Sequence, residues 1–342
     1  MAFHTAWPLH EPSQVGEARR AAVALAESLG LDATACGRVA LVATELGTNL
    51  ARHARQGRLL LSTVAADDGA PMVEMLSLDD GPGMADTAAS LRDGHSTGGT
   101  SGTGLGAVKR LSDLFDLYSV PDAGTVILSR IRQPVPVREP IDPAAGKPAF
   151  AVGGVCLPVV GETVCGDAWS VVAEGQQAAV LVADGLGHGP YAAEASNAAV
   201  AVFQALPFGV PGQLMAKVHA ALRGTRGAAV AIATADIATA RIVFCGAGNI
   251  AGRLLSGVAD RSLISQHGTP GLQIRRPQDV PYDWPPHALL ILHSDGILTR
   301  WTLDDAPGLL RHHPAVIAAW VLRAHARGKD DTTVVVIKRE DN

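Results

Sequence analysis

The feature that most constrains this 342-residue chain is a proline-rich segment near its middle. The stretch RQPVPVREPIDPAAGKP, residues 132–148, holds five prolines in seventeen residues. Each proline fixes φ and removes a backbone donor, so such a run favours a semi-rigid extended connection. Length points the same way, since one domain usually takes about 100–200 residues. We therefore predict two domains, 1–131 and 148–342, joined by a linker at 132–147.

Composition excludes some classes of function. Hydrophobic residues make up 47% of the chain, which is enough for two cores, and the net charge of −5 comes without a basic run, so we expect no nucleic-acid partner. The four cysteines show no CxxC pair or metal-ligand spacing and are expected to be small buried residues in a reducing compartment. The first residues lack the pattern of a signal peptide, and no apolar run reaches the ~18 residues of a membrane span. We expect no membrane partner and a cytoplasmic location.

The predicted elements indicate an α+β protein with a different architecture in each half. Periodicity in the first half predicts helices and a mostly antiparallel sheet, which make an α/β sandwich. Its helices are expected at 13–29, 33–54 and from Leu105, and its strands at 58–66, 72–78, 114–120 and 124–131. The second half is dominated by strands and indicates two sheets with helices outside them. Its strands are expected at 178–183, 228–236, 241–245, 251–255, 288–293 and 332–338, and its helices at 191–206, 213–223 and 314–327.

The second helix carries the first candidate site in TELGTNLARHA, residues 44–54. Glu45 and Asn49 are four residues apart and lie on one side of the helix, and His53 extends that stripe. The adjacent apolar stripe, expected to face the core, consists of Val42, Leu46 and Leu50. Asn is unfavourable inside a helix because its amide competes with the backbone, which suggests a function. An ordinary solvated polar face explains the stripe equally well on its own.

Two glycine-rich segments complete this candidate site. SLDDGPGMAD, residues 77–86, ends an apolar strand with Asp79-x-Gly81-x-Gly83, and STGGTSGTGLGAVKRL, residues 96–111, leads into a helix. Bare amides and a helix N-terminus together can hold a phosphate group. A flexible linker is the alternative explanation, but GTGLG continues without a break into the apolar pattern of the helix. We therefore favour phosphate binding.

In this order, ExxxN on a helix, DxGxG after a strand and GTGLG before a helix resemble the GHKL (Bergerat) ATP-binding fold. Within it, the RsbT- and RsbW-like serine kinases of bacterial partner switching are most similar, over about residues 10–131. The resemblance implies ATP with Mg²⁺, with Glu45 polarising the attacking hydroxyl, Asn49 holding Mg²⁺ and Asp79 accepting a hydrogen bond from adenine. The other nucleotide-binding residues that it implies are Gly81, Gly83, Gly102, Gly104, Leu105, Gly106 and Lys109. An ordinary surface lysine explains Lys109 equally well.

The second half contains four separate acidic motifs, each at a strand edge or turn: VCGDAW, VADGLGHG, LHSDGIL and KDDTTVVVIK. Their aspartates are Asp167, Asp184, Asp295 and the pair Asp330 and Asp331. Any one of them alone is readily explained as a turn former or cap. Together they indicate convergence, and clustered carboxylates repel one another unless hard cations neutralise them. Oxygen-only ligands select Mg²⁺ or Mn²⁺, and two such ions can activate water for attack on a phosphoryl group.

This ordered set resembles the PPM-type serine/threonine phosphatases, in particular the compact SpoIIE/RsbX-like branch, over about residues 148–342. The resemblance implies an α-β-β-α sandwich with two Mg²⁺ or Mn²⁺ ions. Asp184 would bridge both ions and act in catalysis, while the carbonyl of Gly185 would bind one of them. Asp167, Asp295 and Asp330 would complete the ligands, with Asp331 supporting them from outside.

Two departures from the family pattern stand out. Many relatives have GGDxxD where this chain has CGDAWS, so Cys165 replaces the first glycine and Ser170 the last aspartate. The eukaryotic branch has a general-acid histidine two residues after the bridging aspartate, where this chain has Leu186. His188 either supplies that catalytic role or packs against Tyr191. His293, inside a strand, is expected to be a core or supporting histidine.

These observations predict a bifunctional regulator that phosphorylates and dephosphorylates Ser or Thr of one partner. By resemblance, the partner would be a STAS-domain phosphoprotein, either an anti-sigma factor antagonist or a stressosome-like protein. One alternative makes the ATP-binding domain a nucleotide-gated docking module, for example for a sigma factor, with only the phosphatase acting as an enzyme. Another makes it an intramolecular regulator of its neighbour.

Overall fold

The computed structural model describes residues 3–92, 104–133 and 148–340, and these form two compact units. One unit contains the described residues up to 133 together with Ala306–His312, which include a short 3-10 helix at Leu309–Arg311. The other contains the described residues from 148 to Asp305 and from His313 onward. Almost all of the predicted linker lies outside the described residues.

The first unit combines helices with one antiparallel sheet. Among its described residues the sheet has five strands in the order β1-β2-β3-β5-β4. Its elements are β1 (Thr5–Pro8), α1 (Pro12–Ser28), α2 (Ala33–His53), β2 (Arg58–Ala65), β3 (Pro71–Asp79), α3 (Thr87–Ser90), α4 (Gly104–Leu111), β4 (Leu114–Val120) and β5 (Gly124–Arg132). The helices cover one face of the sheet, and α2 contributes fully buried side chains such as Val42 and Leu46 to the core there.

The second unit is built mainly from strands. In chain order it contains β6 (Phe150–Leu157), β7 (Asp167–Glu174), β8 (Gln177–Gly185), α5 (Pro190–Ala205), α6 (Pro211–Ala221), β9 (Ala228–Asp236), β10 (Arg241–Ala247), β11 (Ala251–Leu255), β12 (Asp260–Leu263), β13 (Ser265–Gln266), β14 (Gly268–Thr269), β15 (Gln273–Ile274), β16 (Val280–Asp283), β17 (Leu289–His293), α7 (Pro314–His325) and β18 (Thr332–Arg339).

Two of its sheets pack face to face. As far as the chain is described, one has the order β13-β10-β9-β8-β7 with β16 beside β10, and the other has the order β12-β11-β17-β18-β6. Alternate residues of each strand point into the space between the sheets, where Val180 and Ala231 of one sheet meet Leu290 and Val335 of the other. The opposite face of the first sheet is covered by α5 and α6, and α7 covers the second. The unit is therefore an α-β-β-α sandwich.

The structure confirms the predicted fold class for both halves of the chain. Each predicted helix and strand agrees with the observed bounds to within two residues at each end. Sequence patterns missed β1, β6, β7 and the short strands β12–β16. The glycine pair in β6 explains one omission: a Cβ on Gly153 would lie 2.0 Å from the backbone nitrogen of Ala315 in α7. Close helix packing therefore requires a residue that weakens the strand pattern.

Candidate active sites

Helix α2 positions the candidate base and metal ligand of the first unit. The helix begins at Asp32, whose side chain accepts a hydrogen bond from the backbone N–H of Ala35 at 2.7 Å. Its apolar stripe is buried as predicted, with Val42 fully buried. Glu45 and Asn49 lie on a neighbouring face and are partly exposed. The periodicity of the helix thus places both polar side chains beside the core without burying them.

The DxGxG segment forms a tight turn where β3 ends. Asp79 Oδ1 accepts a hydrogen bond from the backbone N–H of Gly81 at 2.7 Å. Gly83 has a φ of +65°, and a Cβ on it would lie 2.0 Å from the carbonyl oxygen of Val120. A Cβ on Gly81 would lie 3.1 Å from the carbonyl oxygen of His53, so the turn packs against the end of α2. The turn therefore needs glycine for close backbone packing as well as for any ligand.

The third motif reaches the same region through α4. A Cβ on Gly104 would lie only 2.8 Å from Glu45 Oε2, so the start of α4 lies against the candidate base. Leu105 packs against the core, Gly106 is buried and Lys109 is exposed. Gly102 lies outside the described residues. Helix α2 thus contacts both glycine-rich motifs, and the oxygen donors of this region suit a nucleotide with its cation.

In the second unit, four aspartates converge from two sheets. Asp167 begins β7 and Asp184 lies in β8, and the two are direct partners across the antiparallel ladder. Asp295 follows β17, and Asp330 precedes β18, which is the neighbour of β17. Since β17 and β18 are antiparallel, the end of one and the start of the other lie at the same edge of the sheet.

The raised pKa of Asp184 indicates that these carboxylates lie near one another. Burial raises its pKa to about 9, and neighbouring negative charges add to the effect. The contributing carboxylates are those of Asp167, Asp295, Asp330 and Asp331. Repulsion of this kind favours the protonated form of Asp184 and is relieved by a bound cation.

Asp167 is the most buried of the four carboxylates. It is only 4% exposed, and neither side-chain oxygen has a hydrogen-bond partner among the described residues. Burial raises its pKa to about 7; the nearby hydroxyls of Ser294 and Thr333 oppose the rise without reaching hydrogen-bond geometry with the carboxylate. A buried carboxylate without donors is costly unless a cation or proton compensates it.

The remaining acidic groups are held by the protein itself. Asp331 accepts hydrogen bonds from the backbone N–H groups of Val159 and Gly166, both at 2.7 Å, and fixes the segment before β7. Asp295 Oδ2 accepts a hydrogen bond from the side chain of Asn249 at 2.6 Å. Sequence reasoning missed Asn249; the only signal was its place in the turn GAGN between two apolar strands. Asp331 thus ties the segment before β7 to the start of β18.

The donor set of the cluster, which consists of carboxylate and carbonyl oxygens, suits hard divalent cations. In the described part of the chain, no three His, Cys, Asp or Glu side chains take the arrangement of a formed metal centre. The oxygens of Asp167 without partners and the mutual repulsion at Asp184 nevertheless fit oxygen-ligated ions. A Cβ on Gly185 would lie 2.1 Å from the carbonyl oxygen of Ala192, so packing against α5 also requires this glycine.

His188 has a different partner from the one considered above. Its Nδ1 lies 2.6 Å from Glu162 Oε1, and both side chains are accessible. Tyr191 packs against the guanidinium group of Arg226. Sequence analysis gave no signal for Glu162, which is 26 residues away.

The other singled-out residues are structural. His293 is buried, its Nε2 accepts a hydrogen bond from Trp301 at 3.1 Å, and burial lowers its pKa to about 4. This is the predicted core histidine. Three cysteines are buried, whereas Cys36 is partly exposed. The sulfur atoms of Cys156 and Cys165 lie 3.4 Å apart as free thiols.

Two family models match the chain. Residues 9–130 match the histidine kinase-like ATPase domain, and residues 174–340 match the Stage II sporulation protein E (SpoIIE) domain.

Over the described residues, no helix is both long and apolar enough to cross a membrane.

Individual proteins are similar to each part. Serine/threonine-protein kinase RsbT of Bacillus subtilis (strain 168) is 36% identical over 123 residues, which cover 36% of this chain and 87% of RsbT. A protein solved in work on the bacterial stressosome, described as a modular system adapted to control secondary messenger signalling, is 28% identical with a TM-score of 0.50. That similarity covers 55% of this chain and 99% of the other. RsbX, crystallised with magnesium, is 18% identical with a TM-score of 0.46, over 56% of this chain and 96% of its own.

Proposed function

Since this chain belongs, through its N-terminal domain, to the RsbT family of serine/threonine-protein kinases and carries a SpoIIE-type phosphatase domain after it, we propose that it is a bifunctional partner-switching regulator. The first domain transfers phosphate from ATP to Ser or Thr of a STAS-domain protein. The second removes it with the help of two divalent ions. The partner is an anti-sigma factor antagonist or a stressosome-like protein.

The observation that carries the proposal is the convergence of Asp167, Asp184, Asp295 and Asp330. These residues span more than 160 positions of the sequence, yet the other three all raise the pKa of Asp184 through their negative charge. A purely structural role would not retain a buried carboxylate without donors at Asp167. A site for cations explains both facts.

In the kinase domain, the protein's own groups orient the reactants. Bound ATP supplies the phosphoryl group and, with Mg²⁺, the charge balance of the transfer. Glu45 accepts the proton of the incoming Ser or Thr hydroxyl, and Asn49, one turn further along α2, would hold Mg²⁺. Asp79 accepts a hydrogen bond from the adenine amino group. Gly104 keeps the start of α4 close to Glu45, which brings the phosphate-binding amides to the reacting groups.

In the phosphatase domain, Asp184 and the carbonyl of Gly185 would hold the metals together with Asp167, Asp295 and Asp330. Ions held there would supply an activated water and stabilise negative charge on the phosphoryl group. Asn249 orients Asp295 by its hydrogen bond. Asp331 anchors the segment that leads to Asp167 through two backbone N–H groups.

The nature of the partner is supported by the related proteins. RsbT is a serine/threonine-protein kinase, and a structural relative that covers 55% of this chain was solved in work on the bacterial stressosome. A chain that carries both domain types is able to set the phosphorylation level of one protein of such a system.

Radiolabelled phosphate transfer tests both activities. We expect γ-labelled ATP to label a candidate STAS protein, the label to accumulate when Asp184→Asn blocks its removal, and Glu45→Ala to abolish labelling while ATP affinity survives. Asp283→Asn, an exposed carboxylate on β16, is the matched control for the phosphatase variant. Absence of label on every STAS candidate, also in Asp184→Asn, would disprove the kinase proposal. Persistent ATP binding without any transfer by either the wild type or Asp184→Asn would favour the docking module.

A further inference from the structure

A cationic side chain lies beside the glycine turn that follows Asp184. Arg226 belongs to the loop between α6 and β9, and its Nη1 lies 3.1 Å from the position that a Cβ on Gly187 would take. The backbone N–H of Leu186 donates to the carbonyl oxygen of Gly227 at 3.0 Å, which ties the loop to the turn. Arg226 is thus held beside Gly187, which is three residues after the candidate bridging aspartate Asp184.

The guanidinium group also rests on an aromatic ring. Its central carbon lies 5.0 Å from the centroid of Tyr191, a residue in the first turn of α5 that is 65% exposed. Such stacking orients the planar group while its N–H donors stay available to solvent or ligand. Gly187, with a φ of +84°, leaves open the space in front of these donors.

The charge of Arg226 has no acidic partner within the described residues. Other arginines do: Arg130 pairs with Glu74, Arg253 with Asp260 and Arg132 with Asp68. Arg226 is exposed, and the most acidic cluster of the unit lies nearby around Asp184. A cation that is oriented, accessible and unneutralised at this place is suited to an anionic ligand.

We propose that Arg226 binds the phosphate group of the phosphoserine or phosphothreonine substrate at the edge of the aspartate cluster. A phosphate monoester carries up to two negative charges, and a guanidinium group at the edge of the cluster adds to the positive charge that the proposed ions would supply there. The planar guanidinium donates two parallel hydrogen bonds to two phosphate oxygens, which fixes the orientation of the ester. Tyr191 acts as the platform that positions Arg226. This inference rests on the proposed phosphatase function.

The test compares Arg226→Ala with Arg223→Ala, an exposed arginine of the same loop. For a phosphoserine peptide, we expect Arg226→Ala to lower kcat/KM by about ten- to hundredfold, as expected for loss of charge-assisted hydrogen bonds. The affinity for inorganic phosphate, measured by calorimetry on manganese-loaded protein, should fall by a similar factor. Arg226→Lys should recover part of the loss, because it keeps the charge but not the paired donors. Arg223→Ala should match the wild type.

Chemical modification gives a second readout that does not depend on turnover. Phenylglyoxal modifies accessible arginines, and mass spectrometry locates the product. We expect inorganic phosphate to protect Arg226, and to leave the modification of Arg223 unchanged. Equal behaviour of the two arginines in modification, phosphate affinity and kinetics would overturn the inference while leaving the phosphatase intact. Failure of the wild type to hydrolyse any phosphopeptide would instead contradict the proposed function, and the protection experiment would still test Arg226.

Discussion

Gly104 lies against the carboxylate of Glu45, so that a Cβ at residue 104 would be 2.8 Å from Oε2. The two residues belong to motifs that are 59 positions apart, one inside α2 and the other at the start of α4. Their contact places the candidate base beside the N-terminus of a helix, where phosphate groups bind. The kinase proposal depends on this juxtaposition.

Substitution of Gly104 by alanine should impair phosphoryl transfer without unfolding the domain. The new methyl group displaces the Glu45 carboxylate, and misplacement of a reacting group by about 1 Å can cost about a hundredfold in rate. We expect a ten- to hundredfold slower transfer from labelled ATP. A transfer rate equal to that of the wild type would show that the position of Glu45 does not matter for catalysis.

Substitution of Gly37 by alanine is the matched control and a prediction of its own. Gly37 is exposed on α2, and no atom lies within 4 Å of the position of its Cβ. Alanine in a helix is about 1 kcal/mol more favourable than glycine. We expect the unfolding free energy of the N-terminal domain to rise by about 0.5–1 kcal/mol in urea titrations, with unchanged transfer activity. A loss of stability would contradict the regular helix observed here.

Binding of divalent ions should stabilise the C-terminal domain through Asp184. In chelator, the crowded carboxylates around Asp184 repel one another, and bound ions remove this repulsion. At about a hundred times the dissociation constant, Mg²⁺ or Mn²⁺ should add about 2.7 kcal/mol to the unfolding free energy. Asp184→Asn should lose most of this gain, whereas Asp283→Asn should keep it. Equal stabilisation of both variants, measured by thermal unfolding with and without chelator, would rule out this metal site.

The sequence predicted the fold class and the groups of residues at each site, because both depend on local patterns. Apolar periodicity identifies α2 and β8, and an acidic residue next to glycine marks the end of a strand, as at Asp184 and Asp295. Partners brought together by tertiary structure have no such pattern. Asn249 reaches Asp295 from a different loop, Glu162 reaches His188 across 26 positions, and Arg226 contacts Tyr191 from the loop between α6 and β9.

Glycine was the residue whose role was hardest to interpret from sequence. The bare turn after Asp184 suggested close approach of a ligand. The structure shows that Gly185 is also required by the carbonyl oxygen of Ala192 in α5, and Gly83 by that of Val120. Strand β6 was not predicted because Gly153, which is required for close packing against α7, weakens the strand pattern. Such packing requirements become visible only once the neighbouring element is known.

A buried ionic network makes the N-terminal domain sensitive to acid. Glu74 of β3 is fully buried and lies 3.0 Å from His4 Nε2 and 2.7 Å from Arg130 Nε. Arg130 is its direct partner across the β3–β5 ladder. Burial alone would raise the pKa of Glu74, but the positive charge of Arg130 and the hydrogen bond from His4 outweigh it and lower the pKa from 4.5 to about 2. Removal of the carboxylate would leave Arg130 buried without this counter-charge.

Because the pKa of Glu74 is lower in the folded than in the unfolded protein, its contribution is complete above about pH 4.5 and is lost as the pH falls toward about 2. One pKa unit corresponds to about 1.4 kcal/mol, so the lowered pKa of Glu74 contributes a few kcal/mol to the free energy of unfolding. We expect Glu74→Gln to destabilise the domain at pH 7 and to flatten the dependence of stability on pH between 4.5 and 2.5, measured by urea unfolding. Asp67→Asn, an exposed carboxylate in the turn before β3, should keep the dependence of the wild type. An identical pH slope in Glu74→Gln and wild type would mean that other carboxylates cause the acid sensitivity.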